Sequence, residues 1–449
     1  MTCTNRILYV NVLGGPPFDY VINRLRAFGE LYVLQPEVMS SEEEHRLRAL
    51  VERIEFVPEL PAGTDFQSLL MEHVRAIEAT ILLTFDEFYL RDVSEVAARI
   101  GLRGPGRGVV RSINKIEMYR TLDRFDLLRR SYVASSDLRT ILTAAIPPPF
   151  VVKPSECAGS LGVFGVRTEA DRRSLPERLA EAQRSVAQVV DMMPTNERLR
   201  GQAFLREEML LGDAAAWFGE ATPFADYVSV EGMVLDGRYH PLAITQNFPL
   251  LDPFIETVSV SPTTLPMRLQ RKIVDRLRPC IESFGLGTCG THTEIKLLKD
   301  EEFAVIETAG RFAGWCIIPQ ISSVFDIDPV GELVANLLDA SRTFTLDLEQ
   351  IFERQRGAAA TINLLPVTEN GESWKPVVFR RTPDFTSVIH GGSRATFTPY
   401  ISPGETIQAL SVYDGAWNSF GKVFIEARGM TELCEDVRNI RRGLRELVV

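Results

Sequence analysis

The chain of 449 residues is long enough for about three domains with sizeable cores. A hydrophobic content of 45% and a charged content of 24% are ordinary for a globular protein, and a net charge of −11 provides no positive field for nucleic acid or an anionic membrane. We therefore expect neither of those partners. The cysteines stand singly without a CxxC pair, and no membrane or targeting segment is evident, so we expect a cytoplasmic location.

The first hundred residues alternate between strand and helix patterns. Residues 6–13 and 31–34 read as strands, and residues 19–28 between them read as a helix. A strand, a helix and a second strand in succession predict a parallel sheet. We assign residues 1–105 to an N-terminal α/β domain. Its Gly14-Gly15 turn lacks the full dinucleotide fingerprint, so we interpret it as a plain tight turn.

The second segment, residues 106–200, carries two unusual lysines. Only seven of the 49 basic residues are lysines, and only Lys115 and Lys153 precede residue 272. Lys115 falls on a predicted helix, and Lys153 ends a predicted strand that leads into a small-residue loop, Ser155–Gly162. Backbone N–H groups in such a loop can bind phosphate oxygens while an ammonium neutralises their charge. The GxxxxGK[ST] pattern is absent, and an ordinary glycine-containing hairpin is the alternative.

A hairpin is predicted in the third segment, residues 201–345. The strand patterns THTEIKLL and FAVIETA flank the charged connector Lys299–Glu302, and symmetric pairing about this connector places Glu294 opposite Glu307. Facing carboxylates lie about 5 Å apart and repel each other, so they require a cation between them. Mg²⁺ completed by water and phosphate oxygens suits such a pair, and Arg311 adds donors for a phosphate or carboxylate. An ordinary solvated hairpin face is the alternative.

Other residues of this segment are candidates for binding. The run AFLREEMLLGD contains Glu207, Leu210 and Asp213, which could bind adenine through backbone groups and ribose through a carboxylate. Glu256 follows on a predicted strand or strand edge. Zinc binding by Cys289 and His292 is disfavoured, because a zinc deaminase would need a PCxxC partner.

The C-terminal part, residues 346–449, changes to short β-rich segments followed by an amphipathic helix over residues 431–447. We expect a separate α+β module there. Its own residues suggest no chemistry.

The order of these motifs resembles the ATP-grasp superfamily, and within it the L-amino acid ligases, dipeptide synthetases of the bacilysin-ligase type. The resemblance extends over nearly the whole chain and is carried by LGGPP, the NK of Asn114-Lys115, KPSECAGSLGV, REEMLLGD, DYVSVEGMVLDGRYHPLAI, THTEIKLL and IETAGRFAGW. It implies an ATP-grasp fold, α/β and α+β in class, with an N-terminal parallel α/β domain and a C-terminal α+β lid module. It also implies that ATP phosphorylates a carboxyl group, which an amine then attacks.

The resemblance assigns residues to the nucleotide and metal. Lys115 and Lys153 would hold the phosphates, beneath a loop that includes Ser155, Gly159, Ser160 and Gly162. Adenosine would contact Glu207, Leu210 and Asp213. Mg²⁺, or Mn²⁺ in its place, would bind Glu294 and Glu307.

The resemblance also assigns residues to the reaction and the substrates. Arg311 would stabilise the transferring phosphoryl group, with Lys153 as the second catalytic residue. Glu256 would receive the amino group of the first substrate and Trp315 would form a pocket wall, while Ser259 and Gly314 complete the substrate site.

Two departures from the family pattern affect these assignments. Ala309 stands where many ATP-grasp ligases have a metal-binding asparagine, and Ser259 stands where close relatives have histidine. We expect a ligase that joins two amino acids, or an amino acid and an unusual acid or amine, in specialised-metabolite or antibiotic biosynthesis. The alternative is a non-catalytic ATP-binding regulator. The sequence identifies neither the substrates nor the number of metal ions, and it leaves a homodimer open.

Overall fold

The computed structural model describes residues 4–12, 14–61, 63–193, 195–196, 199–252, 254–368 and 370–449. Cys3, one of the isolated cysteines, and Leu13, at the end of the first predicted strand, lie outside this part of the chain. Within it, no helix combines the length and the apolar character that are needed to cross a membrane.

The N-terminal part is a parallel sheet with helices between its strands, as predicted. Its elements are β1 (Arg6–Val10), α1 (Phe18–Leu25), β2 (Glu30–Gln35), α2 (Ser41–Leu50), β3 (Ile54–Phe56), α3 (Phe66–Ala76), β4 (Ile81–Leu83) and α4 (Leu90–Arg99). The strand order is β3-β2-β1-β4. The chain reverses its winding direction between β1 and β4, and open α/β sheets bind ligands outside the carboxyl ends of strands at such a point. The Gly14-Gly15 turn and the segment Thr84–Glu87 follow these two strands.

The second part carries the two unusual lysines. A short 3₁₀ turn (Arg107–Val109) leads into its elements, which are α5 (Val110–Ile113), α6 (Lys115–Asp123), β5 (Tyr132–Ser135), α7 (Leu138–Thr143), β6 (Phe150–Pro154), β7 (Phe164–Val166), α8 (Glu169–Arg172), α9 (Leu175–Asp191) and β8 (Phe204–Glu208). The strands form an antiparallel sheet in the order β5-β8-β6-β7. Because β8 lies inside this sheet, the sheet extends past residue 200, where the sequence analysis divided the chain. The sequence also predicts a long polar helix centred on residues 172–190 that ends near Pro194, and Pro194 lies outside the described residues.

A large sheet forms the centre of the remaining chain. The helices and strands of this part are α10 (Ala214–Phe218), β9 (Tyr227–Leu235), β10 (Arg238–Asn247), β11 (Val258–Ser261), α11 (Met267–Ser283), β12 (Cys289–Leu297), β13 (Phe303–Ala309), α12 (Ile317–Phe325), α13 (Pro329–Leu338), α14 (Leu348–Phe352), β14 (Ala358–Leu364), β15 (Val377–Val378), β16 (Arg394–Pro399), β17 (Thr406–Ile407), β18 (Gly421–Ala427) and α15 (Met430–Val448). Over the described residues the order is β13-β12-β9-β10-β11-β14-β18-β16, and β15 pairs only with β17.

The C-terminal strands differ from the separate module that the sequence suggested. β14 pairs directly with β11, and β18 and β16 extend the same sheet. This pairing satisfies the backbone groups of β11, which would otherwise form an exposed edge. Helix α15 packs its apolar side on one face of these strands, whereas α12 covers β11 and β14 and contributes to a different core cluster.

The predicted hairpin is formed by β12 and β13, and Glu294 pairs with Glu307 as expected. Nearer the connector the predicted register is wrong, because Leu297 pairs with Phe303 and the turn is centred on Asp300. A β-bulge shifts the register by one residue between the turn and the Glu294–Glu307 pair, so that Ile306 has no direct partner. The predicted pairing of the two glutamates is therefore obtained because the bulge compensates for the different position of the turn.

Direct cross-strand partners point to the same face of a sheet. The registers therefore place a row of polar side chains across one face of the large sheet, from Glu307 and Glu294, through Ser259 and Thr361, to Lys422. This face carries most of the candidate site residues.

Candidate active site

The paired glutamates meet one of the two unusual lysines. The Lys115 ammonium lies 3.2 Å from Glu307 Oε2, and the Glu307 side chain keeps 24% of its surface exposed. Burial opposes the ionisation of Glu307, but the Lys115 and Lys153 ammonium groups outweigh it and hold its pKa below the ordinary value. Glu294 has a side chain that is 21% exposed and lies 3.5 Å from His292 Nε2. Both carboxylates are therefore partly accessible to solvent, and each has a fixed neighbour: Lys115 for Glu307 and His292 for Glu294.

Lys115 is positioned by the start of α6. The Asn114 side chain accepts hydrogen bonds from the N–H groups of Ile116 and Glu117 and so caps the helix at Lys115. The Lys115 ammonium also donates to the Cys157 carbonyl oxygen at 2.7 Å. The lysine is thus tied to the loop that follows β6 as well as to Glu307.

Lys153 belongs to a second buried charge network. Its ammonium lies 3.1 Å from Glu207 Oε1, and the Arg130 guanidinium lies 3.2 Å from Glu207 Oε2, which also accepts from the Tyr119 hydroxyl. Burial raises the pKa of Glu207, but Arg130 and Lys153 outweigh that effect and lower it. Arg130 also donates to the carbonyl oxygens of Val305 and Ile306 at 3.0 and 2.9 Å. It therefore joins the Lys153 network to the bulge that precedes Glu307.

The small-residue loop is held in place by protein contacts. Gly159, Ser160 and Gly162 all have positive φ, which gives the loop its tight course. The N–H groups of Ser155 and Gly162 donate to the carbonyl oxygens of Ala203 and Tyr413. These two N–H groups are therefore engaged by backbone, and phosphate binding by the loop stays a prediction from the resemblance.

The predicted adenosine contacts occupy two environments. Glu207 is 5% exposed and has both oxygens in the Lys153 network, whereas Leu210 is partly exposed beyond the end of β8. Asp213 accepts from the Ala216 N–H at 3.0 Å and so caps α10. A role of these residues in adenosine binding remains a prediction from the resemblance.

The expected substrate residues line the middle of the polar face. Glu256 lies in the loop before β11, and the Tyr227 hydroxyl donates to it at 2.9 Å. Burial and the neighbouring Glu294 charge raise the pKa of Glu256 to about 7. Ser259 is buried and accepts from Gln320 Nε2 at 2.9 Å; this amide is also 2.6 Å from the Thr361 hydroxyl oxygen.

Arg311 connects the site to the N-terminal domain. Its Nε lies 2.7 Å from Glu87 Oε2, and Glu87 follows β4 where the winding direction of the N-terminal sheet reverses. Gly314 approaches the Gly14-Gly15 turn so closely that a Cβ at Gly314 would lie 2.3 Å from the Gly14 oxygen. The structure therefore brings this turn, which we interpreted as plain, against the candidate substrate site. Trp315 follows with a φ of 56° and is partly exposed.

Comparisons with known proteins identify the family and the fold of the chain. A family model described as an ATP-grasp domain matches residues 146–319. Alanine–anticapsin ligase from Bacillus subtilis is 31% identical over 375 residues, which cover 80% of this chain and 76% of that protein. The chain belongs to the ATP-grasp ligases. It is therefore an enzyme of the carboxylate–amine ligase type.

Further similarities support the fold of this ligase. Alanine–anticapsin ligase from Bacillus amyloliquefaciens is 28% identical over 372 residues, covering 80% of this chain and 76% of that protein. An L-amino acid ligase from Bacillus licheniformis superimposes with a TM-score of 0.75 at 16% identity, covering 98% of each chain. The ADP complex of N5-carboxyaminoimidazole ribonucleotide synthetase gives a TM-score of 0.64 at 14% identity over 99% of each chain. These structures confirm the ATP-grasp fold.

The donor set of the ligase fits Mg²⁺ in the presence of a nucleotide. Glu294 and Glu307 supply hard oxygen ligands from adjacent strands and keep part of their surface accessible. In the part of the chain that the structure describes, no group of three or more histidine, cysteine, aspartate or glutamate residues could hold a metal ion. The pair therefore suits an ion whose remaining ligands come from phosphate and water.

Three contributors to the site were missed by the sequence analysis. Glu87 could have been found, since it follows a predicted strand of a parallel sheet, where ligand-binding residues occur. Tyr227 begins β9 and shows no distinguishing pattern. Arg130 is one of many arginines, and only the fold brings it to Ile306 and Glu207.

Proposed function

We propose that the ligase joins two amino-acid-like substrates through an acyl phosphate. The observation that carries this proposal is the convergence of charged groups from two segments of the chain, residues 106–200 and 201–345. Lys115 contacts Glu307, which faces Glu294, and the charges of Lys153 and Arg311 also act on Glu307. A site of this kind can hold a nucleotide's phosphates and neutralise the charge that accumulates when one of them is transferred.

In the proposed reaction, an oxygen of the donor carboxylate attacks the γ-phosphorus of ATP and the bond to the β-phosphate oxygen breaks, which gives an acyl phosphate and ADP. The nitrogen of the second substrate then attacks the acyl carbon. Phosphate leaves with the C–O bonding electrons, and the amine loses a proton as the amide forms. Arg311, which pairs with Glu87, would stabilise the transferring phosphoryl group, and Lys153, which pairs with Glu207, would neutralise phosphate charge.

Glu294 and Glu307 would hold Mg²⁺, which when bound neutralises phosphate charge and orients the transferring group. We propose that Glu207, Leu210 and Asp213 lie around adenosine. Glu256 would accept the amino group of the donor substrate, while Ser259, Gly314 and Trp315 shape the pocket around it. The names of the relatives support amino acid ligation in antibiotic biosynthesis as the setting.

The direct test is release of ADP and phosphate over pairs of amino acids, with the product identified by mass spectrometry. Glu307→Ala should lower ADP release by about 100-fold or more, because it removes a metal ligand and leaves Lys115 without its carboxylate partner. The matched control is Glu301→Ala at the tip of the same hairpin, where Glu301 pairs with Arg268 at the surface. ADP release by folded Glu307→Ala at the wild-type rate would overturn the metal assignment.

A further inference from the structure

The far end of the polar face carries a third buried lysine, Lys422 on β18. Lys422 pairs directly with Asn363 on β14, and the Asn363 amide donates to the Glu256 carbonyl oxygen at 3.1 Å. Thr361, two residues before Asn363, pairs with Ser259. Lys422 is thus two strands away from Ser259, about 10 Å across the sheet, and on the same face. The lysine therefore borders the region assigned to the donor substrate.

Lys422 lacks the carboxylate partner that the other two buried lysines have. It is 9% exposed, close to the 5% of Lys115 and the 4% of Lys153. Across the described residues, no aspartate or glutamate oxygen lies within 4.0 Å of its ammonium. Its ammonium instead contacts Tyr400, lying 5.9 Å from the centre of the ring and within hydrogen-bonding reach of the neutral hydroxyl, which supplies no negative charge. Buried ammonium groups are normally paired, so this position suits an anion that arrives with a ligand.

Two further features favour an anion there. Cys316, the residue that precedes α12, lies near Lys422: burial raises the pKa of its thiol, the Lys422 charge offsets part of that rise, and the Asp19 charge adds to it. No side chain caps the N-terminus of α12, so its first N–H groups add positive potential beside Lys422.

We propose that Lys422 binds a second carboxylate on the donor substrate, so that the donor is an amino dicarboxylic acid. This inference rests on the proposed function, because it takes Glu256 as the site of the donor's amino group. The carboxyl group that is phosphorylated lies towards Arg311 and Glu307, and the other carboxylate extends along the polar face to Lys422. Specificity for the donor then comes from two opposite charges at the two ends of one pocket.

The test compares donors that differ only in charge. With a common acceptor, the wild-type ligase should use glutamate over glutamine, or aspartate over asparagine, by about 10-fold or more in kcat/KM, the size expected for one charge-assisted hydrogen bond. Lys422→Met keeps the chain length and should bring the ratio to about one, whereas Lys422→Arg should retain most of the preference. The control Lys375→Met alters an exposed lysine of the same C-terminal part and should keep the wild-type ratio.

A carboxylate could also come from the acceptor, whose own α-carboxylate remains free in a dipeptide. Acceptors are therefore supplied both as amino acids and as amino acid amides. If Lys422→Met impairs turnover with the acids and spares turnover with the amides, the carboxylate belongs to the acceptor and our assignment to the donor is overturned. An unchanged preference for glutamate over glutamine in folded Lys422→Met also overturns it.

A binding measurement separates this inference from the proposed function. Glutamate should raise the thermal unfolding midpoint of the wild-type protein more than glutamine does, and Lys422→Met should remove that difference. If no pair of amino acids supports ADP release, the proposed function fails, while a Lys422-dependent response to glutamate would still be measured. Equal responses of the wild-type protein to glutamate and glutamine would overturn the dicarboxylate site itself.

Discussion

The two ends of the large sheet hold buried positive charge in opposite ways. At the hairpin end, Lys115 lies against Glu307, and the nearby Lys153 lies against Glu207. At the C-terminal end, Lys422 is almost as buried and has no carboxylate partner among the described residues. The first arrangement is neutralised before any ligand binds, whereas the second contacts the neutral Tyr400 and takes its negative charge from a ligand. The difference separates charges that build the site from a charge that selects its substrate.

The largest expected effect follows from removing a carboxylate at the hairpin end. Glu207→Gln leaves Arg130 and Lys153 buried with one partner fewer, and we expect a loss of about 3 kcal/mol in the free energy of unfolding. Lys422→Met removes a buried charge that has no carboxylate partner among the described residues, so its unfolding free energy should stay within about 1 kcal/mol of the wild type or increase. Urea unfolding of both variants, followed by circular dichroism, measures the difference.

A stability loss in Lys422→Met as large as that in Glu207→Gln would contradict the comparison. It would mean that Lys422 stabilises the fold through contacts such as that with Tyr400. Gln is close in shape to Glu, so the effect of Glu207→Gln reports on charge and not on a cavity.

The second effect tests how the hairpin end is assembled. Arg130→Lys keeps the charge but removes the planar guanidinium group, which contacts Glu207 and the carbonyl oxygens of Val305 and Ile306 at the same time. The bulge should then hold Glu307 less firmly, and we expect kcat/KM for ATP to fall about 10-fold with a higher Mg²⁺ concentration at half-maximal rate. Steady-state kinetics at varied ATP and Mg²⁺ measure both quantities.

Arg129→Lys is the matched control, because Arg129 is adjacent in sequence and pairs with Asp126 and Glu302 near the turn. It should leave the Mg²⁺ dependence unchanged. If Arg130→Lys lowers the rate without altering the Mg²⁺ requirement, Arg130 supports the fold and does not position Glu307.

The hairpin shows what the sequence could predict and why. Strand patterns and a charged connector identify two antiparallel strands, and these were sufficient to pair Glu294 with Glu307. The turn, however, is centred on Asp300, and the register is restored by a bulge whose carbonyl oxygen binds Arg130. Arg130 is distant in sequence, so a reading of the local pattern could not include its effect. The pairing of Glu294 with Glu307 was therefore predicted correctly, although the predicted hairpin lacked the bulge and had its turn at a different position.

The C-terminal part shows the opposite limit. Its short strands were recognisable, yet their partner was not, because β11 and β14 are separated by nearly a hundred residues. Lys422 appears in the sequence as one of seven lysines, and only the pairing of β18 with β14 places it beside Asn363. Local sequence patterns therefore could not identify residues that are brought to the site by the pairing of strands distant in sequence. Lys115 and Lys153 were found because each adjoins a recognisable motif.

The smallest expected effect concerns a contact between the two regions. The C-terminal segment at Gly415 packs on the small-residue loop, where the Ala416 N–H donates to the Gly159 carbonyl oxygen at 2.9 Å. A Cβ at Gly415 would lie 2.2 Å from that oxygen, so Gly415→Ala must displace the loop. We expect KM for ATP to rise about 3- to 10-fold with a smaller change in kcat, because the loop is expected to close over the phosphates.

Gly404→Ala provides the control for backbone strain. Gly404 has a φ of 102° and no atom near its Cβ position, whereas Gly415 has a φ of 54°, which alanine adopts more easily. Gly404→Ala should therefore lower the thermal midpoint through backbone strain alone while leaving KM for ATP unchanged. If both variants alter KM equally, general destabilisation explains the effect. A selective effect of Gly415→Ala would show that the C-terminal part, which carries Lys422, also holds the loop near Lys153, so that the two ends of the sheet are mechanically joined.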